Sequence, residues 1–351
     1  MKKTLIILSI FGGILACKKE DTKVVGTNAE GKELVVNEEG NTIAVDPGNS
    51  EAIDSQQAAL VKNEDESYSF RYNLKKGENY PFSLKVKENQ SISALGQNMK
   101  MTSERTVKFN YFVEDVVNNK FKLKATFLEY SESLTGPQGE KLAYNTSSAK
   151  PSDKNVAQSW AIYKSIIGQN FHMEVDNKGK VLSVTGLDKV RTNAMGKLKN
   201  DFTTEEQKYI QELLNVALSN EAIKAQFEET LNIFPEKNLK VGEEWSDNQN
   251  ISEGSVKGSS KVTRTFKELN NNIAKITVKG TQNVSGNETK QGITASMKGT
   301  ATLDGYIDLD FNSGWIKKVE ITKKENMTTT YTQGDKKETE SGTSTTITTV
   351  N

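Results

Sequence analysis

The feature that most constrains the fold is a two-residue alternation of apolar and polar side chains, which recurs in two long regions of the chain. It starts in Tyr68–Leu74 and returns in residues 80–86, 99–113 and 120–130. From Leu239 to residue 350 the same pattern dominates again. A period of two is that of a strand with one buried face. The alternation therefore predicts a mostly antiparallel β protein.

Between the two strand regions the period changes to that of helices. Residues 155–167 place apolar side chains on one helical stripe, and Thr203-Thr204-Glu205-Glu206 forms a capping-box start. We therefore predict an α+β protein, mostly antiparallel β. Two related curved-sheet lobes, 66–186 and 236–351, would be joined and covered by a helical segment, 187–235. Curved sheets covered by helices can leave an apolar groove.

The two strand regions resemble each other. Lys75-Lys76-Gly77-Glu78-Asn79-Tyr80 matches Lys240-Val241-Gly242-Glu243-Glu244-Trp245, and an Asn-rich turn joins a pair of long strands in each region. Hairpins of similar form surround Gly179 and Gly314. This order of motifs predicts an internal duplication, with chance similarity between alternating strands as the alternative. Residues Glu325–Val350 are predicted to form a Thr-rich pair of strands, and the Thr/Ser-rich end, Thr328–Thr349, is interpreted as an exposed edge hairpin.

The N-terminus has the form of a lipoprotein signal peptide in residues 1–16. Two lysines precede an apolar stretch of about eleven residues, which is too short to span a bilayer. Ala16 stands directly before Cys17, the only cysteine, and the preceding residues resemble a lipobox. The resemblance implies that Cys17 carries acyl chains such as palmitate, which would anchor the protein to a membrane. An ordinary secretory signal is the alternative.

The residues after the cysteine indicate the cellular location to which the protein is exported. Lys19-Glu20-Asp21 resembles the surface-export signal of Bacteroidota lipoproteins. The resemblance implies processing by the lipoprotein maturation and export machinery, and an outer-membrane position facing the cell surface. A periplasmic orientation is the alternative. Residues 17–65 contain no aromatic residue, which predicts a flexible tether between the lipid and the folded region, with a hairpin possible between Glu33–Val36 and Thr42–Val45.

A wider resemblance covers roughly residues 65 to 350. Pro235-Glu236 leading into Lys240–Trp245, together with the Gly179 hairpin, is similar to a family of Bacteroidota lipoproteins classed as a domain of unknown function. These motifs mark turns and core aromatics. The resemblance therefore implies an architecture and assigns no activity.

Candidate chemistry is sparse. His172, the only histidine, alternates with the apolar residues of its strand. The sequence contains no recognisable nucleophile motif that could act together with it. Asp308, Asp310 and Asn312 begin like a calcium loop, but Ser313 and Val319 occupy positions where such loops need Gly and Glu. We therefore predict no catalytic residues, no cofactor and no metal site beyond this weak calcium candidate.

Charge and composition limit the partners. Lys+Arg and Asp+Glu each total 46, and no basic run occurs, which argues against nucleic acid. The leading hypothesis is a non-enzymatic, membrane-anchored lipoprotein that binds a hydrophobic or extended ligand. The alternatives are a scaffold or accessory subunit that contacts another envelope protein, and an unrecognised hydrolase.

Overall fold

The computed structural model of the protein describes residues 24–27, 33–36, 42–45, 58–94 and 96–351. The first three of these stretches are short strands that pair antiparallel in a small sheet of their own. The second and third are the two pieces expected to form a hairpin, and they pair with each other. Their bounds are β1 (Val24–Thr27), β2 (Glu33–Val36) and β3 (Thr42–Val45).

The packed region of the chain begins with a second small sheet. Strands β4 (Leu60–Lys62) and β5 (Tyr68–Phe70) pair antiparallel. Ala59 and Leu60 are fully buried, so the packed region starts before residue 66, the boundary expected from the sequence. The sequence did not indicate this earlier start, because no aromatic residue stands beside this apolar pair.

Twelve strands form one antiparallel sheet, and the prediction of a mostly antiparallel α+β protein is confirmed. The order across the sheet is β11-β10-β8-β7-β6-β17-β16-β15-β14-β13-β12, with β9 paired to β8. The bounds are β6 (Asn79–Ala94), β7 (Gln97–Val117), β8 (Lys120–Thr135), β9 (Lys141–Asn145), β10 (Asn170–Asp176), β11 (Val181–Thr185), β12 (Glu244–Glu253), β13 (Val256–Asn270), β14 (Ile273–Lys290), β15 (Ile293–Asp310), β16 (Ile316–Gln333) and β17 (Lys336–Val350).

The two strand regions of the sequence are the two ends of this single sheet. Strand β17 joins them, because it pairs with β16 on one side and with β6 on the other. The prediction of an exposed edge hairpin at the Thr-rich end is therefore wrong. Alternation with threonine identifies a strand, but it does not reveal that the second neighbour is β6, more than two hundred residues earlier in the chain.

Four helices follow the capping and periodicity signals: α1 (Lys154–Ile166), α2 (Leu187–Leu198), α3 (Thr204–Ala217) and α4 (Asn220–Leu231). The predicted capping box is present, since the Thr203 amide donates to Glu206 Oε2 at 2.8 Å and the Thr203 hydroxyl accepts from the Glu206 amide. Helix α1 packs on β8 and β9, α2 on β10 and α4 on β11. The helices thus lie on the first half of the sheet.

The core lies between this sheet face and the layer of helices and small strands. Phe227 of α4 meets the rings of Phe109 and Phe171 edge-on or tilted, with centroids 5.6 and 6.0 Å apart. In the second half, β5 takes the place of a helix, because Phe70 packs edge-on against Phe266 at 5.0 Å. One hydrophobic core therefore serves both halves.

The turn before β6 in the first half and the turn before β12 in the second half form equivalent backbone hydrogen bonds. Gly77 N donates to Val113 O at 2.9 Å, and Gly242 N donates to Phe266 O at 2.7 Å. Both glycines have positive φ, and a register shift follows Val113 and Phe266 alike. These matches support the duplication, which stays a prediction.

Candidate functional site

Many strands of the large sheet extend far beyond the core. Strands β14, β15 and β16 have 18 residues each, which corresponds to roughly 60 Å at the usual rise per residue. In β14 only Ala274, Ile276 and Val278 are buried, all near the start of the strand. We call the side of the sheet that faces the core the inner face and the opposite side the outer face. Beyond the core, both faces reach solvent.

An apolar row crosses eight strands on the inner face, well beyond the core. It consists of residues that lie directly opposite one another in successive strands, and in it large apolar side chains are interspersed with glycine. From β12 to β7 the row is Ile251, Gly258, Val284, Gly299, Met327, Gly342, Ile92 and Met99.

The apolar row is part of a wider methionine-rich surface. Met99, Met101, Met297 and Met327, four of the seven methionines, lie on the inner face of the protruding strands. Met327 is 39% exposed. Methionine is flexible and polarisable, so surfaces rich in it adapt to apolar partners of different shape. Half-buried and exposed apolar side chains of this surface therefore remain in contact with solvent.

Glycines on the inner face accompany a close approach of neighbouring strands. A Cβ atom at Gly305 would lie 2.1 Å from the carbonyl oxygen of Glu320, and one at Gly258 would lie 2.0 Å from that of Asn283. Glycine within a strand often marks such an approach or a bend of the sheet, and a bend toward the inner face would shield its side chains from solvent. The bend agrees with exposure, because Val284 on the inner face is half-buried while its neighbour Asn283 on the outer face is exposed.

Between the core and the apolar row lies a polar band. Lys323 Nζ and Glu325 Oε1 are 2.6 Å apart. Two strands away, Glu88 accepts hydrogen bonds from Gln90 Nε2 at 2.7 Å and from Ser344 Oγ at 3.0 Å. Along the strand direction, the inner face therefore changes from hydrogen-bonding and charged groups near the core to apolar side chains farther out.

A tyrosine cluster borders this surface on the first half of the sheet. The Tyr130 and Tyr163 rings are parallel with centroids 3.5 Å apart, and the Tyr144 hydroxyl donates to Glu132 Oε2 at 2.8 Å. Burial raises the pKa of Tyr163 to about 12 and raises those of Tyr130 and Tyr144 further. The phenols therefore stay neutral at physiological pH and act as packing and hydrogen-bonding groups.

His172 lies on the outer face of β10, as its alternation with apolar residues predicts. Its Nε2 is 3.5 Å from Glu114 Oε1, and its side chain is 46% exposed. Its cross-strand neighbours are Lys124 and Thr185. The apolar row is on the other face, so the structure does not bring His172 to that surface.

The calcium candidate forms a turn. The Asp310 carboxylate accepts from the Asn312 amide at 3.1 Å and from the Ser313 amide at 2.8 Å. Asp308 lies opposite Lys275 and Lys318, and desolvation raises its pKa. Asp176 caps the matching hairpin in the first half in the same way. Among the described residues, no group of three or more His, Cys, Asp or Glu side chains is placed to hold a metal ion.

The predicted anchor and address, Cys17 and Lys19-Glu20-Asp21, lie outside the described residues. Within the described part of the chain, no helix combines the length and the apolar character that crossing a membrane requires.

Sequence reasoning did not find the apolar row. Met99, Met327 and Ile92 are separated by long stretches of chain, and each stands among polar residues, so no local pattern groups them. The sequence offers one signal of this surface, the glycines within its strands: Gly299, in Met297-Lys298-Gly299, and Gly342. Glycine within a strand often marks a bend or a close approach.

These features define the class: an α+β protein in which one long antiparallel sheet carries a partly exposed apolar surface. The chain belongs to a family of unknown function, DUF6263, whose model matches residues 118–316, more than half of the chain. The expectation of a family of unknown function is thereby confirmed. A comparison with curated proteins finds no match.

Solved structures give only distant likenesses. A lipovitellin structure, described under lipid–protein interactions, is 10% identical over 78% of this chain, with a TM-score of 0.36. The chain spans 25% of the length of that lipovitellin. OccK5 of Pseudomonas aeruginosa is 4% identical over 79% of this chain and 99% of its own, with a TM-score of 0.20. TM-scores this low establish neither a common fold nor a common function.

Proposed function

We propose that this protein is a lipid-anchored envelope protein without enzymatic activity that binds a hydrophobic ligand on the inner face of its protruding strands. The observation that carries the proposal is the apolar row from Ile251 to Met99, which lies beyond the core, with most of its residues half-buried and Met327 exposed. Apolar surface of this kind is costly to leave exposed and commonly marks an interaction site. The ligand that fits best is an acyl chain.

The amphipathic arrangement supports a lipid-like ligand. Hydrocarbon placed along the apolar row would contact Val284, Met327 and Ile92, at about 0.8 kcal/mol for each methylene removed from water. A polar head would then reach the band that contains Lys323 and Glu325.

The proposed anchor and address agree with this role. A lipid on Cys17, export directed by Lys19-Glu20-Asp21 and a Bacteroidota origin are parts of the proposal that rest on sequence resemblance. Residues between the anchor and residue 58 would let the sheet reach away from the membrane. Intact mass of the membrane-extracted protein tests the anchor, since an unmodified Cys17 would contradict it. Protease shaving of whole cells tests the orientation.

Ligand binding is tested by native mass spectrometry with a lipid extract, on the wild-type chain and on Met327→Glu. A carboxylate in the middle of the apolar row should weaken lipid binding at least about tenfold, because it adds a desolvation cost to lost contact. Asn326→Glu is the matched control, since Asn326 is the adjacent residue on the outer face. Equal affinities of the two variants would contradict the proposal.

A second candidate function is that of a scaffold in an envelope complex. Strand β12 is at one end of the sheet, with β13 as its neighbour, so its other edge offers backbone groups to a strand from a partner. This role predicts a protein recovered by crosslinking from β12 and no lipid bound to the apolar row.

A further inference from the structure

The outer face of the same protruding strands has an unusually uniform composition. Farther from the core than the row that contains Asp304 and Glu104, every outward position is Lys, Thr, Ser or Asn; along β15, for example, the outward residues are Thr294, Ser296, Lys298, Thr300 and Thr302. We call this surface the hydroxyl–lysine face. It consists of every second residue of eight ranges, counted from the first residue of each. The ranges are 89–93, 98–102, 248–252, 257–261, 281–289, 294–302, 324–332 and 337–345.

The charge of this face has one sign. It carries six exposed lysines and no acidic residue: Lys100, Lys257, Lys261, Lys298, Lys324 and Lys337. Within the described part of the chain, none of the six forms an ion pair. The balanced net charge of the whole chain therefore hides a cationic surface, which pairing of distant strands assembles.

A shallow depression of about 210 Å³ lies on this face near the β12 edge. Its lining includes Asn248, Asn250, Lys261 and Asn283 from the hydroxyl–lysine face. Amides and hydroxyls both donate and accept hydrogen bonds, whereas the ammonium only donates. The depression therefore suits a ligand that is rich in hydroxyl groups and carries negative charge.

We infer that the hydroxyl–lysine face binds an acidic polysaccharide. Ammonium groups would pair with its carboxylates, while Thr, Ser and Asn side chains would bond its hydroxyls. Lys257 and Lys298 share one cross-strand row two strands apart, which is roughly 10 Å at the usual strand spacing. That separation lets an extended polymer meet successive lysines.

The same composition disfavours two other polyanions. Nucleic-acid interfaces rely on arginine forks and on aromatic rings that stack with bases, and the face contains neither. Attraction of lysines to anionic lipid head groups makes no use of Thr, Ser and Asn side chains, and insertion between head groups uses apolar side chains, whereas every position here is hydrophilic. Charge complementarity combined with hydroxyl recognition favours the polysaccharide.

Native affinity electrophoresis of the full chain in gels containing polygalacturonate, a linear polyuronate, tests the inference. We expect retardation that weakens with added salt, and no retardation by neutral dextran. Reversing the charge in the triple variant Lys261→Glu, Lys298→Glu, Lys324→Glu should weaken binding at least about tenfold, because attraction becomes repulsion within the screening length.

Two further variants separate charge at this face from other effects. Lys189→Glu, Lys208→Glu, Lys237→Glu changes the net charge equally at exposed lysines outside the face, and it should bind like the wild type. The triple change of Lys261, Lys298 and Lys324 to Gln should give an intermediate loss with an unchanged melting temperature. Absence of retardation, equal retardation by dextran, or equal loss in both charge-reversal variants would overturn the inference. So would tighter binding to a DNA duplex than to polygalacturonate, or tighter binding to phosphatidylglycerol vesicles than to polygalacturonate by a Cys17→Ser, Met327→Glu chain, in which neither the anchor nor the apolar row contributes.

Discussion

At the scale of residues, buried phenols link stability to alkaline pH. Tyr130, Tyr144 and Tyr163 lie together between the sheet and α1, and burial raises the pKa of each above the ordinary value. In the unfolded chain these groups ionise at about pH 10. A raised pKa in the folded state means that their contribution to stability is complete below that pH and is lost as pH rises further.

We therefore predict unfolding coupled to tyrosine ionisation. As pH rises from about 10 to about 12, the range bounded by the unfolded value and the raised pKa of Tyr163, stability should fall. Tyrosinate absorbance and far-UV circular dichroism, followed together, check this. The buried phenols should ionise in the same transition that removes β signal, and ionisation of all tyrosines before any loss of structure would disprove the coupling.

At the scale of elements, β17 decides how the two halves of the sheet are connected. The alternating threonines of residues 336–350 predict a strand correctly, and they do not predict its place, because both neighbours supply equally polar partners there. Strand β9 was missed for a related reason. Lys141–Asn145 is short, so it shows no clear half-buried alternation.

A pair of engineered disulfides tests the placement of β17. In a Cys17→Ser background, Thr343→Cys with Ser91→Cys should crosslink, since these residues lie directly opposite each other in β17 and β6 and opposite side chains come close enough to bridge. Thr343→Cys with Asn326→Cys is the control, because β16 and β17 form a hairpin in either arrangement. Peptide mapping that finds only the control disulfide would restore the edge hairpin.

At the scale of the whole molecule, local signals predicted the fold class and long-range pairing determined the surfaces. Thr203 marked the start of α3, and Gly179 and Gly314 marked the two hairpins, because caps and turns depend on adjacent residues. The apolar row was not predictable in this way. Ile251, Met327 and Met99 come into one row only when β12 to β17 assemble with β6 and β7, and no spacing in the sequence records that register.

Binding of hydrocarbon to the inner face beyond the core can be tested directly with a fluorophore at a single position. Cys17 is the only cysteine, so in a Cys17→Ser background a single fluorophore can be attached through Met327→Cys or, as the matched control on the outer face, Asn326→Cys. The measurement is the emission of each labelled protein during titration with a fatty acid. We predict a blue shift at position 327 that saturates and no shift at position 326. Equal shifts at both positions, or a shift only at 326, would contradict it.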